Sequence, residues 1–432
     1  MSPFETLTLP NGSSLPNRIA KAAMEENMAD AGHLPSAELF RLYQAWADGG
    51  AGLIITGNVM IDRRAMTGPG GVVLEDGTEL EAFRNWARIG RANGAQIWMQ
   101  LNHPGRQMMK NLGQQTLAPS AVPLDLGKHS NLFAMPRAMT EQDIDDVIAR
   151  FVSAARLAER AGFSGVQIHA AHGYLLSQFL SPLTNRRTDR WGGSLENRAR
   201  LLIETVKAVR ATVSPGFSVA VKLNSADFQR GGFDAADAKT VVELLNELPV
   251  DLVELSGGSY EAPAMQGDAR DGRTLAREAY FLDFARDIAG VARIPVMVTG
   301  GIRRIGVVQH VLDSGVAIAG IGTALAIRPD LANAWRNGED PRPEVAPIRW
   351  KSKALASLAA MAVVKFQLRR LSRGRAAKPN VSPVKALIFA QLRTASLTRK
   401  YRRWIASSAA PAVSRDGSPP ADANARAVGM PR

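Results

Sequence analysis

GVQIHAAHGYLLSQFLSPLTNRRTDRWGGSLENR, residues 165–198, opens on a short apolar run of strand length and from Ser177 onward resumes a helical period. Between the two lie His169, His172 and Tyr174, so two imidazoles and a phenol stand where a strand hands over to a helix. These side chains suit the holding of an oxygen anion and the delivery of a proton. In a barrel of alternating strands and helices, that edge is where active sites form.

The same hand-over recurs along the chain. Strand-like apolar runs occupy residues 18–24, 52–58, 96–101, 165–169, 218–224, 252–255, 295–299 and 317–322. Amphipathic helical stretches at 37–48, 79–93, 141–161, 196–213, 235–247, 275–289 and 303–314 separate them, with Gly or Pro near their ends. Elements of these lengths in strict alternation predict parallel strands joined by crossover helices, and eight repeats favour closure into an α/β fold of the (β/α)8 TIM-barrel type. One barrel accounts for residues 1–340. Two loops, 102–140 and 180–195, exceed simple connections and read as insertions over the barrel mouth.

The 432 residues are 46% hydrophobic and 22% charged, which is ordinary for a globular enzyme. There is no cysteine, so disulfides, zinc thiolate sites and thiolate-bound iron–sulfur clusters are excluded, and any electron transfer must use an organic cofactor. The N-terminus has neither the basic nor the apolar segment of a secretory signal, and the most apolar tail window, 354–364, is about half of what a spanning helix needs. A cytoplasmic protein is the expectation. The net charge of +13 is unevenly spread: residues 341–432 carry 19 Lys and Arg against 3 Asp and Glu, leaving 34 against 37 for residues 1–340.

Several strand ends carry groups able to grip a polar ligand. Gln100 ends the third strand, and Lys222 interrupts the apolar fifth strand VAVKLN, where a charged lysine needs an anionic or electron-rich partner. Thr299, Gly300 and Gly301 close the seventh strand and Gly320, Gly322 and Thr323 the eighth, after which barrels commonly bind phosphate through backbone amides. Each has a plainer reading. A His-x-x-His pair also serves as a hydrogen-bonded pair or a metal half-site, a lone barrel lysine as a Schiff-base former, and paired glycines as turns. Asn185, Arg186, Arg187, Asp189 and Arg190 read as a hydrogen-bonded scaffold for their loop, and His33, His129 and His310 as surface residues.

Over residues 1–340 the chain resembles the Old Yellow Enzyme family of FMN-dependent ene-reductases, through NRIAKAAM, QLNHPGR, HAAHGY, SPLTNRRTDRWGGSLENR, VKLN and the two C-terminal glycine motifs. The resemblance implies FMN in the barrel mouth, its pyrimidine edge held by Gln100 and Lys222, its rim lined by Ala22, Ala23, Met24, Glu25 and Asn58, and its phosphate by Gly300, Gly301, Gly322 and Thr323. NADH or NADPH would be the reductant. His169 and His172 would bind a carbonyl or nitro oxygen of an electron-poor alkene, and Tyr174 would protonate one alkene carbon after hydride reaches the other. Two positions depart from the family's pattern. Glu25 stands where many members have threonine or cysteine beside the flavin, and Thr323 stands where many have arginine; Arg303 or Arg304 is a substitute phosphate ligand. Without cysteine, the iron–sulfur branch of related reductases is ruled out. A flavoprotein acting on amines, a simple NADH:flavin reductase, and a flavin-free scaffold whose tail binds an acidic partner remain as alternatives.

After residue 340 the pattern changes to helices at 351–371 and 383–405, rich in Lys and Arg among Leu, Ile, Val and Phe, and the composition of 407–432 predicts a disordered tail. This basic, partly helical C-terminal extension suits an anionic membrane surface, giving a protein peripheral to the membrane; non-specific nucleic-acid binding; or packing on the barrel or on a second subunit of a homo-oligomer.

Overall fold

The computed structural model describes residues 1–264 and 278–409. Among these, eight parallel strands close a barrel: β1 (Ile19–Lys21), β2 (Leu53–Ile55), β3 (Gln96–Asn102), β4 (Gly165–Ala170), β5 (Ser218–Asn224), β6 (Leu252–Ser256), β7 (Val296–Thr299) and β8 (Ile318–Ile321). Each strand pairs with the next, β8 returns to β1, and β3 pairs with β4 to complete the ring. The expected (β/α)8 barrel is therefore the observed one. The first strand is shorter than the run 18–24 suggested, because the chain after Lys21 leaves the ladder to line the mouth.

Crossover helices α1 (Ala37–Asp48), α2 (Glu81–Gly90), α3 (Glu141–Arg160), α4 (Leu195–Thr212), α5 (Ala235–Leu245), α6 (Leu282–Ala289) and α7 (Ile305–Asp313) cover the outside. Local chemistry starts several of them: the side chains of Ser36, Thr140, Ser194 and Asp234 accept backbone N–H bonds at the first turns of α1, α3, α4 and α5. The expected helix over 275–289 falls partly outside the described residues; within them it begins at Leu282.

The two-residue period of the strands sorts their side chains. One set, including Ile54, Ile97, Val166, Val221, Val253 and Val298, packs against the helices. The other set points inward, where Ala20, Leu53, Ile55, Trp98, Ala220, Leu252, Met297 and Ile318 fill the lower barrel above Leu9 and Leu15, which close its N-terminal end. One step up the strands from β3 to β7 the inward residues turn polar, and the site begins there. Lys21 alternates outward instead, its ammonium 4.3 Å from the Trp46 ring and donating to the Ile55 carbonyl at 2.8 Å; burial pushes its pKa down to about 8.

The extension forms α8 (Lys353–Leu371) and α9 (Pro383–Ala409), which pack on each other and on the barrel. Tyr401 and Trp404 close over Met60, Met66, Val73, Met108 and Leu112, while Arg373 pairs with Glu38 and Arg41 donates to the Ser372 carbonyl. Packing on the barrel is thus what the extension displays. Helix α9 runs to Ala409, past the expected end at 405, and residues 410–432 of the expected disordered tail lie outside the described residues. No helix of the described residues is long and apolar enough to cross a membrane.

His33 corrects the sequence reading. It is buried, not a surface residue, with its ring 4.2 Å from that of Trp404 and its Nδ1 bonded to the Gly71 carbonyl, because the distant α9 covers it.

Candidate active site

The inward residues of the upper strands form a connected polar layer. Gln100 donates from Nε2 to Gln167 Oε1 at 2.7 Å, and Gln167 donates to Glu254 Oε2 at 2.7 Å. The other Glu254 oxygen accepts from Lys222 Nζ and Thr299 Oγ1, each at 2.7 Å. Strand register dictates this arrangement, since Gln100 lies opposite Gln167 and Lys222 opposite Glu254. Lys222 therefore has the anionic partner its burial demands, and an aldolase-type neutral amine has no support in a site that supplies a carboxylate.

At the end of β4 the chain bends sharply. His172 and Gly173 adopt left-handed conformations, φ +62° and +71°, which are held by His172 N donating to Asn224 Oδ1 and by Gln107 Nε2 donating to the His172 carbonyl. A Cβ on Gly173 would meet Gln107 Oε1 and Ser259 Cβ at 2.9 Å, so the turn needs glycine. The bend brings the three predicted side chains together: the His169 ring centroid is 5.1 Å from that of His172 and 4.9 Å from that of Tyr174.

The protonation states follow from burial. Burial first, then the neighbouring His172 and Lys222, hold His169 well below its ordinary pKa; burial and Lys222 do the same to His172. The Ala171 N–H donates to His169 Nδ1, so the neutral ring carries its proton on Nε2 and is a donor there. His172 Nε2 shares a hydrogen bond with Ser256 Oγ at 2.8 Å. Burial, with the nearby Tyr260 and Glu25, lifts the Tyr174 phenol well above its ordinary pKa, and its hydroxyl lies 3.2 Å from that of Tyr260. The site thus presents two uncharged imidazoles and a protonated phenol at neutral pH.

Small residues occupy the opposite wall. Ala22 is buried at the end of β1, Ala23, Met24, Glu25 and Asn58 are half-buried, and a Cβ at Gly322 would find only the Met24 side chain, 4.0 Å away. This asymmetry, donors from β3 to β7 and bare backbone from β8 to β1, suits a flat ring lying against one wall with its polar edge on the other. The Asn102 carboxamide shares the inward face with Gln100 and is buried with neither atom hydrogen-bonded, a cost that a ligand bearing donors and acceptors removes. The donor set fits FMN. The phosphate end is less complete: Thr323 is exposed and Gly322 half-buried, but Gly301 lies under Tyr280, whose ring atoms come within 2.5 Å of an added Cβ. Arg303 and Arg304 both donate to the Glu278 carboxylate, at 2.9 and 2.7 Å, so both substitutes are already engaged.

Glu25 faces neither the polar layer nor solvent alone. Its Oε1 accepts from Thr67 Oγ1 and its Oε2 from Lys365 Nζ, each at 2.7 Å. The 185–190 segment is a scaffold, with Asn185 Nδ2 donating to the carbonyls of Phe179 and Trp191 and Arg190 pairing with Glu141. Sequence reasoning missed Gln167, Glu254, Ser256 and Tyr260. The signal for the first two was present, since each is a polar residue at an inward position of an apolar strand, as Lys222 is.

The sequence profile described as the NADH:flavin oxidoreductase / NADH oxidase family matches residues 3–338. The chain is 39% identical over 348 residues to an NADH-dependent flavin oxidoreductase of a Neonectria species, covering 75% of this chain and 45% of that protein. It is 40% identical over 324 residues to an NADH-dependent flavin oxidoreductase of Aspergillus parasiticus, covering 72% of each. In three dimensions it matches the old yellow enzyme homologue from Zymomonas mobilis with a TM-score of 0.69 and 26% identity, over 80% of this chain and 95% of that one.

Proposed function

We propose, for a chain that belongs to the NADH:flavin oxidoreductase / NADH oxidase family and is thereby a flavin-dependent oxidoreductase with FMN as cofactor and NAD(P)H as reductant, that the acceptor is an electron-poor C=C bond such as an enone or nitroalkene. The observation that carries this reading is the joint arrangement of His169, His172 and Tyr174, two uncharged imidazoles and one phenol that keeps its proton, packed ring against ring.

FMN, when bound, supplies a hydride taken from the nicotinamide. Gln100 and Lys222 would hold its pyrimidine edge, Ala22 to Glu25 and Asn58 its rim, and the bare backbone at Gly300, Gly301, Gly322 and Thr323 its phosphate. The protein's own groups do the rest. His169 Nε2–H, with His172 beside it, donates to the carbonyl or nitro oxygen of the acceptor and stabilises the charge that gathers there as the conjugated double bond is polarised. Because both rings are uncharged, they attract that oxygen without drawing free anions into the site. A phenol pushed above its usual pKa is a weak acid, so Tyr174 keeps its proton until a carbon with carbanion character appears, and it then protonates that carbon. One hydride and one proton saturate the bond, and NAD(P)H leaves oxidised.

Anaerobic stopped-flow mixing of the holoprotein with NADH or NADPH, followed by cyclohexenone or a nitrostyrene, tests this. Bleaching of the flavin by the nicotinamide, recovery by the alkene with formation of the saturated product, and parallel double-reciprocal plots are expected. A reduced protein that oxygen reoxidises but no activated alkene does would overturn the acceptor assignment.

A further inference from the structure

We propose that Lys365, in the first helix of the C-terminal extension, is a positioning residue of the active site: it pairs with Glu25 and offsets part of that carboxylate's charge at the rim of the flavin pocket. The inference rests on the flavin reading above, and it concerns a residue beyond the family match, which ends at residue 338.

Glu25 lies four residues after the end of β1, directly following Ala22–Met24. Its two oxygens are divided: Thr67 donates to one and Lys365 to the other, both at 2.7 Å, and Asn27 adds a further side-chain hydrogen bond. Burial works to raise the Glu25 pKa, but Lys365, Thr67 and Asn27 together outweigh burial and hold it below the ordinary value, so the carboxylate is ionised. Its charge reaches the reacting groups. It raises the pKa of both Tyr174 and Tyr260, and Thr67 also accepts from Asn58, which lies near enough to the Tyr174 phenol to act on its pKa. A row of hydrogen-bonded side chains therefore runs from the extension through Lys365, Glu25 and Thr67 to Asn58, beside the proton donor.

Without the extension the barrel would leave a half-buried carboxylate at this rim with a hydroxyl and an amide but no cation. Such a charge opposes the gain of negative charge by a ring bound beside it, whereas an ion pair presents only a dipole. The other charged groups facing this corner do not replace Lys365. Glu26 is taken by Lys21 and Tyr43, Arg393 donates to the Asn27 carbonyl, and the nearest carboxylate to Arg369 is Glu38 at 3.7 Å. Nor does docking of the extension depend on Lys365, since Tyr401, Arg373 and Ser372 hold it elsewhere.

The test uses full-length holoprotein as wild type, Lys365→Met, Glu25→Gln, the double variant and Lys365→Arg. The readout is the ratio of reduced-FMN to oxidised-FMN affinity from pH 5.5 to 8.5, obtained from dye-equilibrated potentials and apoprotein titration. Lys365→Met should lower the ratio by about tenfold at pH 8, equivalent to ~30 mV for two electrons. Losing the cation raises the Glu25 pKa, so the deficit should shrink as pH falls and the carboxylate takes up a proton. Glu25→Gln should shift the ratio the opposite way, the double variant should lie near wild type, and Lys365→Arg should match wild type. Folded Lys365→Met that binds flavin with a wild-type ratio at every pH would overturn the proposal; should Lys365→Met fail to fold, a Glu25→Gln ratio unchanged from wild type would do so instead. Failure of the acceptor assignment looks different: no activated alkene would reoxidise reduced wild type, yet the FMN affinity ratio would still respond to Lys365→Met.

Discussion

Lys222 and Glu254 occupy directly paired positions on adjacent barrel strands, and their charged atoms meet at 2.7 Å with both side chains sealed from solvent. A pair so placed adds little net stability over apolar residues, but removing one member strands the other charge in the interior. Lys222→Met should therefore cost about 3–5 kcal/mol, read from urea unfolding, and should also weaken FMN retention. Lys222→Met combined with Glu254→Gln should recover most of the stability but not the FMN affinity. A single variant as stable as wild type would show that the two charges are not coupled.

Tyr174 carries the proton in the proposed reaction, and its hydroxyl has Tyr260 for company at 3.2 Å. In Tyr174→Phe the ring remains against His169 while the proton is gone. Alkene turnover should fall by about 10²–10⁴-fold, and flavin reduction by the nicotinamide should be unchanged, because that half-reaction needs no proton from this position. Rapid-mixing measurement of the two half-reactions separates them, and an alkene rate within a few-fold of wild type would remove Tyr174 from its role.

His103 sits buried in the QLNHPGR segment, its Nδ1 accepting from Gly105 N, and burial pushes its pKa down to about 4. In the unfolded chain it titrates near 6.5. Below pH 6.5 the unfolded state takes up a proton that the folded state refuses, so this stability is present at neutral pH and is lost as pH falls toward 4, by about 2 kcal/mol at pH 5. His103→Gln should shrink the difference in unfolding free energy between pH 7 and pH 5 by that amount. Buried His33, His169 and His172 shift in the same direction and leave a residual slope. Identical pH profiles for the variant and wild type would place His103 in contact with water.

Much of this was legible in the chain because strand and helix periods differ and because the histidine–tyrosine cluster spans only six residues. Gln167 and Glu254 escaped because GVQIHA and LVELS read as apolar runs, and the inward phase of each strand was not used to sort their polar members. Tyr260 and Ser256 could not be found locally, for they meet Tyr174 and His172 across 86 and 84 residues. The same distance in sequence hid Lys365, 340 residues from Glu25, and the burial of His33 under α9. Periodicity reports which face of an element is covered; it carries no information about which remote element covers it.

Tyr401 joins the extension to the mouth of the barrel. Its ring is fully buried among Met60, Met66, Val73, Met108 and Leu112, and its hydroxyl donates to the Arg63 carbonyl at 2.9 Å. Met60, Arg63, Met66 and Val73 belong to the segment between β2 and α2 that also carries Asn58 and Thr67, so anchoring the extension and shaping the site are one packing event. Tyr401→Ala should remove about 3–5 kcal/mol from a single cooperative unfolding transition, and Tyr401→Phe about 1 kcal/mol, the value of the lost hydrogen bond. Because the loosened segment bears the Asn58 contact to Tyr174, Tyr401→Ala should also raise the KM for the alkene more than it slows flavin reduction. Urea unfolding followed by tryptophan fluorescence and by far-UV circular dichroism checks the first claim. Two separated transitions, with the barrel melting at its wild-type midpoint, would show that the extension folds as an independent appendage and that the packing argument is wrong.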